Sequence, residues 1–552
     1  MPSAPLLIRG ERTLLLDTEH PEAIKLKPLL LGFAALMKSP GRLHVYQISS
    51  CSLWEAAASG LTANEVQRIL EHYTQQVLPP VVQTIISREM ARYGMLRLTR
   101  ESEKIILHIA EPTWLNRFLN EPAVGFLLTQ ISQCQAEVSL NGRGLLKREL
   151  TRLGYPVIDE AGFHRGETLQ IHLNSRENGF NLRPYQLEAV EAFCGQSSVH
   201  DGSGVVVLPC GSGKTAVGIA AMARLGCATL ILTTNVVSVR QWQREIAEWT
   251  NLGPERIGEY SGAIKEVKPV TVATYQILTH RRSRTESFRH MQLFKERDWG
   301  LIIYDEVHLL PAPIFRATAD IQATRRLGLT ATLVREDGCE EDVFSLVGPK
   351  RFELPWKQLE QEGHIAQVSA AELRVSMPEN MRERYNLAKA GARFRIAAEN
   401  PRKLAHMEQL LDRHKGSPAL VIGQYLSQLR AVAKRTGAPL ITGTTPHDER
   451  EVLYQRFREG SLMLLIVSKV ANFAVDLPQA EVAIELSGGY GSRQEEAQRL
   501  GRVMRPKPNG GEAHFYTLVS KDTVEQEYAR NRQLFLLSQG YVYQVEECTE
   551  EV

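Results

Sequence analysis

Three rhythms of apolar and polar positions run along this chain, and each predicts a different architecture. Up to about residue 120 the pattern is mixed. Leu14 to Leu16 read as a strand, Glu22 to Met37 carry a helical spacing, and LHVYQIS at 43–49 reads as a strand. Thr62 is placed to cap a helix whose Val66, Ile69, Leu70 and Tyr73 share one face, and a second helix runs to Arg92. MLRLT at 95–99 and KIILHIA at 104–110 then form a hairpin. Helices followed by a hairpin fit a winged-helix fold, and equally an interaction platform that never touches nucleic acid. The pattern leaves both open, and 1–120 is expected to be an N-terminal accessory domain of mixed α/β type.

A smaller unit is expected at 121–179. In it GLLKRELTRLG (144–154) forms an amphipathic helix carrying Lys147, Arg148 and Arg152. Such a helix can grip phosphates, although a solvated charged face is the commoner reason for the pattern. The acidic end of PVIDE (156–160) is not followed by the Glu-x-Lys that a nuclease carboxylate site would need.

From 180 onward strands and helices alternate. Strands are expected at 205–209, 228–234, 270–274, 301–306 and 325–332, with helices at 214–225, ended by Gly226, and at 238–249. Near-continuous apolar strands separated by helices indicate a parallel sheet covered on both faces, with ligands at the strands' carboxyl ends. After a more polar, helical interval at 351–400 a second alternation begins, with strands at ALVIG (419), PLITG (439), LMLLIVS (462), VAIELS (482) and HFYTLVS (514). It contains no second Gly-Lys-Thr, so the second sheet is expected to complete the first sheet's site instead of binding its own nucleotide.

Length and composition agree with several soluble domains. For 552 residues the prior is about three to four domains, and 43% hydrophobic with 23% charged residues is the globular range. A net charge of +2 neither demands nor excludes a nucleic-acid partner. Seven scattered cysteines suggest neither a disulfide framework nor a zinc site. The apolar stretch from Pro28 to Met37 is too short to span a bilayer and MPSAPLLIRGER is not a signal peptide, so a cytoplasmic protein without membrane contact is expected.

VVVLPCGSGKT (205–215) carries the chemistry. Gly211 and Gly213 let the backbone turn its N–H groups inward and the following helix adds its positive end, which together make a polyphosphate nest. Pro209, Cys210, Gly211, Ser212, Gly213, Lys214 and Thr215 are the nucleotide-binding set. In it Lys214 supplies charge to the β/γ-phosphates and the Thr215 hydroxyl a Mg²⁺ ligand. The usual first glycine is Leu208 here. Downstream, Asp305 and Glu306 end an apolar strand. Hydrolysis of ATP needs one carboxylate for the metal and one for the attacking water, and two adjacent acids meet that need.

On the helix at 493–505, Gln498, Arg502 and Arg505 follow at spacings of four and three and so share a face. From there two guanidiniums can reach a γ-phosphate across an interlobe cleft. Gln186 of LRPYQ is placed to offer an amide to adenine. The basic run at 280–290 reads as a solvated loop more readily than as a nucleic-acid contact.

The ordered set LRPYQ, LPCGSGKT, QW after TTN, DEVH, LTATLVREDG, SKVANFAVDLP and QRLGRVMR resembles a superfamily 2 DNA helicase of the XPB (xeroderma pigmentosum group B) family, of bacterial or archaeal type. The match covers roughly 180–525, and Arg335-Glu336-Asp337 directly after Thr330-Ala331-Thr332 narrows it to that family. The family also shows LPCG, so Leu208 fits it.

The resemblance implies two tandem RecA-like lobes, 180–350 and 401–552, a thumb-like insertion at 351–400 and a damage-recognition-like domain at 121–179. It implies an ATP- and Mg²⁺-dependent 3′–5′ helicase acting on single-stranded or forked DNA in repair, with a nuclease or other repair protein as a possible partner. The nearest rival is a duplex translocase that never separates strands; a small-molecule P-loop kinase and a non-catalytic scaffold are more distant. By residue it makes Arg183 and Gln186 nucleotide contacts and Lys214, Asp305, Glu306, Gln498, Arg502 and Arg505 the catalytic set, with Thr215 and Asp305 on the metal. Asp476 becomes a ribose or coupling contact, Thr330 and Thr332 the coupling pair, and Arg335, Glu336 and Asp337 the DNA-facing triplet. Ala474 stands where many members have glycine.

Overall fold

The computed structural model describes residues 4–39, 42–139, 142–174, 181–195, 202–209, 211–281, 288–322, 324–331, 333, 340–364, 366–468, 480–488, 512–539, 541 and 543–548. The chain divides into two compact units, 1–208 with 213–354, and 355–552 with 209–212.

The first unit opens on a four-stranded antiparallel sheet in the order Leu6–Arg9, Thr13–Asp17, Leu43–Gln47, Ala35–Lys38. The helical spacing at 22–37 is only partly realised. The helix spans Ala23–Leu31, contains Pro28, and gives way at Gly32 to the strand Ala35–Lys38. Proline removes an intrahelical donor and glycine weakens the helix, so the chain turns there. Thr62 does cap the helix Ala63–Thr74, in a reciprocal pair with Glu65.

The expected hairpin forms, Leu96–Glu101 against Lys104–Ile109. It belongs to a five-stranded sheet in the order Leu128–Gln130, Gln135–Val138, Lys104–Ile109, Leu96–Glu101, Val157–Glu160. That sheet joins strands from both sides of residue 120, where the sequence pattern suggests a boundary.

In its companion helix, Arg143–Arg152, the basic residues named from the sequence are ion-paired, and Lys147 fits neither reading of the stretch. Lys147 is buried and ion-paired to Asp159 at 2.9 Å, Arg148 pairs with Glu149, and Arg152 with Asp342. Lys147 is thus neither solvated nor open to phosphate, Arg148 is half-buried, and Arg152 stays exposed beside its partner. Asp159, one of the two acids of PVIDE, is the acceptor for this helix.

Beyond it lies a seven-stranded, wholly parallel sheet in the order Ile257–Tyr260, Val270–Thr274, Thr229–Thr233, Leu301–Asp305, Arg325–Thr330, Ser203–Val207, Lys350–Glu353. Ser203–Val207, Thr229–Thr233 and Val270–Thr274 are buried throughout. The helix Lys214–Leu225 ends at Gly226 in the left-handed region (φ 59°), as the sequence predicts.

The second unit holds another seven-stranded parallel sheet, ordered Leu440–Ile441, Leu464–Ser468, Ala419–Gly423, Val482–Glu485, Ala513–Ser520, Val368–Val375, Tyr543–Glu547. Val368–Val375 falls within the interval expected to be helical. It pairs with Ala513–Ser520 over its whole length and is mostly buried. A run of small and branched residues between helices is ambiguous by periodicity alone, and the partner that decides it lies far along the chain. The helices Glu379–Leu387 and Ala390–Ala398 follow it.

Candidate nucleotide-binding and hydrolysis site

Because the first sheet is parallel, the carboxyl ends of its strands share one edge. Arg325–Thr330 lies between Ser203–Val207 and Leu301–Asp305, with Val207 level with Thr330 and Asp305 level with Leu329. At about 4.8 Å per strand, the strand entering the P-loop and the strand ending in two acids stand about 10 Å apart. Thr330 lies between them.

The P-loop begins at Leu208, whose N–H donates to the Thr330 carbonyl at 2.9 Å. The Ser212 hydroxyl and N–H both turn back to the Pro209 carbonyl, at 2.6 and 3.3 Å. Gly211 and Gly213 each have φ 81°, a conformation that aims successive N–H groups to one side. Helix Lys214–Leu225 starts at Gly213 with no side-chain cap. Glycine is also required at 213 for space, since a Cβ there would stand 2.5 Å from Gln186 Nε2. Gln186 is buried, and its Oε1 accepts the Arg183 N–H at 2.9 Å. The amide is therefore wedged between its own helix start and the loop, and Arg183 donates a second bond to the Tyr185 hydroxyl.

Glu306 adopts φ 54°, ψ 54°, unusual for a residue with a Cβ. Its Oε1 lies 3.7 Å from Lys214 Nζ and its Oε2 lies 3.5 Å from His308 Nδ1. The same His308 nitrogen is 2.6 Å from the Thr330 hydroxyl, and both residues are buried. Asp305 Oδ2 accepts the indole N–H of Trp242 at 2.9 Å, and its main-chain carbonyl accepts the Tyr275 hydroxyl at 2.8 Å. Burial, and then the charge of Glu306, push the Asp305 carboxyl up to about 6.

The sequence assigns no role to Trp242 or Tyr275. The available signal for Trp242 is its place in the helix after strand Thr229–Thr233, with a small residue, Gly218, on the P-loop helix to receive it.

The structure thus brings Gln186, Gly213, Lys214, Asp305, Glu306, His308 and Thr330 to one edge, with Thr215 on the first turn of the helix. Cys210, Thr332, Arg335, Glu336, Asp337, Asp476, Gln498, Arg502 and Arg505 lie outside the described residues. Among the described residues no helix is long and apolar enough to cross a membrane.

Comparison with known proteins gives the same picture along the chain. The profile described as ERCC3/RAD25/XPB C-terminal helicase matches residues 359–552, that of the type III restriction enzyme res subunit matches 179–335, and a helicase conserved C-terminal domain profile matches 6–132. A protein of Kineococcus radiotolerans named DNA 3′-5′ helicase XPB is 48% identical over 99% of this chain and 97% of its own length. Its namesake in Mycobacterium tuberculosis is 46% identical over 100% and 99%. The general transcription and DNA repair factor IIH helicase/translocase subunit XPB/SSL2 of Saccharomyces cerevisiae is 31% identical over 98% of this chain and 72% of its own. Full-length similarity at this level, together with two parallel-sheet lobes, establishes that the chain belongs to the XPB family of DNA helicases.

Proposed function

We propose that this protein is an ATP-dependent 3′–5′ DNA helicase that hydrolyses Mg·ATP at the edge of the first sheet and uses the cycle to move along DNA and open it during repair. The observation that carries the reading is the P-loop nest and the Asp305-Glu306 pair on one strand edge, with Thr330 between them.

The residues present fit a divalent cation. Two carboxylates share one nearby lysine, Asp305 is pushed upward by burial and by Glu306, and Glu306 Oε2 is buried with no hydrogen-bond partner among the described residues. Thr215 and Asp305 would hold Mg²⁺, which would shield charge on the β/γ-phosphates. The Gly211–Gly213 N–H groups and Lys214 bind the phosphates, and Glu306 orients and deprotonates the attacking water. Arg183 and Gln186 set the adenine side, where Gln186 shapes the loop as well as offering its amide. Gln498, Arg502 and Arg505 act on the γ-phosphate charge, and Asp476 on the ribose. Thr330 and Thr332 relay the nucleotide state, and Arg335, Glu336 and Asp337 meet DNA at the fork. Residues 121–179 serve damage recognition, and the helices within 351–400 form a thumb.

Glu306→Gln tests the centre of this scheme. Mg·ATP binding should persist while hydrolysis falls about 10²-fold or more, as for loss of a general base. ATPase rates measured without nucleic acid and with single strand, duplex, fork and RNA identify the activating ligand, with forked DNA expected to be strongest. Intact ATPase and duplex translocation without strand displacement would replace unwinding by translocation.

A further inference from the structure

We propose that Trp242 is a positioning residue that fixes the Asp305 carboxylate through a ring reaching from the P-loop helix to the acid. The proposal deepens the reading of Asp305 as a Mg²⁺ ligand and rests on it. Trp242 lies on the helix Val236–Trp249 and is 2% exposed. One end of its indole faces the P-loop helix so closely that a Cβ on Gly218 would stand 2.6 Å from Trp242 Cη2. The nitrogen end donates to Asp305 Oδ2 at 2.9 Å. Gly218 follows Thr215 by three residues, so a single rigid ring touches both elements that carry the proposed metal ligands.

The choice of donor matters chemically. Indole N–H is neutral, donates once and accepts nothing, so it occupies part of one carboxylate oxygen and holds the group's rotation without cancelling the negative charge that a cation needs. Lysine or arginine at this place would compete with the metal. Hydrogen bonds to ligating carboxylates typically matter by 10- to 100-fold in metal affinity, and the burial of the ring against the P-loop helix keeps this one from swinging away.

The test uses the full chain and a fluorescent, non-hydrolysable ATP analogue followed by anisotropy, in EDTA and across a Mg²⁺ titration. In Trp242→Phe a smaller aromatic ring remains and the donor is lost. Binding in EDTA should match the parent protein, while the Mg²⁺ concentration for half of the metal-dependent gain should rise about 10- to 100-fold. An unchanged Mg²⁺ requirement would overturn the proposal and leave Trp242 a packing residue. Equal weakening with and without Mg²⁺ would also overturn it, because the ring would then be supporting the P-loop alone.

Gly218→Ala gives a second route should Trp242→Phe fail to fold. The added methyl must displace the indole while its N–H survives, and the same rise in Mg²⁺ requirement is expected; no rise overturns the proposal. Asp305→Asn in the same assay separates the two levels. A normal Mg²⁺ requirement there would remove Asp305 as metal ligand, and the proposal with it.

Discussion

Glu306 holds a backbone conformation that costs of order 1 kcal/mol for a residue with a side chain. What that conformation secures is direction: the carboxylate is turned toward Lys214 on one side and His308 on the other. His308 then touches the Thr330 hydroxyl, so the acid proposed to handle water and the middle strand are two contacts apart. Removing that hydroxyl while keeping the shape, in Thr330→Val, should leave DNA-stimulated ATP turnover at a substantial fraction of its normal rate while strand displacement from a fork falls about tenfold. Turnover and displacement measured on one preparation at fixed salt check this, and parallel loss of both would assign Thr330 to the fold or the ATP site. The sequence makes the P-loop and the acid pair legible because their spacing is local. It leaves His308 open between a link and a structural role, since its partner is brought to it only by strand pairing.

At the scale of elements, helix Arg143–Arg152 shows where the sequence stops being informative. Its limits and its basic residues are plain from the pattern, but the role of those residues depends on groups that the pattern cannot connect. Arg143 Nε and Nη2 both meet Asp159, at 2.8–3.1 Å, and Lys147 Nζ donates to Asp159 Oδ2 at 2.9 Å and to Gln322 Oε1 at 2.8 Å. Arg326 is fully buried nearby. One carboxylate among these cations stays firmly ionised. Burial alone would raise it, yet Lys147 and Arg143 hold it well below the usual carboxylate range, and burial brings Lys147 down to about 8. Asp159→Asn should therefore cost about 3–5 kcal/mol at pH 7, because it leaves buried cations unpaired. Lys147→Met should cost less. A depressed carboxyl stabilises the fold above its unfolded pKa of about 3.9, and that contribution is lost as pH falls toward the folded value. Chemical denaturation from pH 7 downward should thus show parent and Asp159→Asn converging below about pH 4. The helix also depends on close approach: a Cβ on Gly144 would stand 2.2 Å from the Ala319 carbonyl oxygen, so Gly144→Val should lower the thermal midpoint sharply.

For the molecule as a whole, the first sheet does not begin where its own strands begin. Residues 164–174 run along it before the chain reaches the P-loop. Gly166 abuts Gly300, Thr168 bridges to Cys227 and Leu173 to Thr250, Glu167 pairs with Arg297, and Leu169 and Ile171 are buried. A protein cut at residue 180 would expose that surface. Residues 180–354 alone should aggregate at concentrations where 1–354 remains monomeric by light scattering, and equal behaviour would show the strap to be dispensable. None of this is visible in a stretch with neither a clear helical nor a clear strand rhythm. The hydrogen bond from the Leu208 N–H to the Thr330 carbonyl has a different kind of consequence. It makes one amide proton a clock for this edge of the sheet: its exchange with deuterated solvent can occur only when the loop proposed to grip phosphate and the strand beside it part company. The lifetime of that proton, timed with and without nucleotide, would record how often the two let go in a molecule that is otherwise at rest.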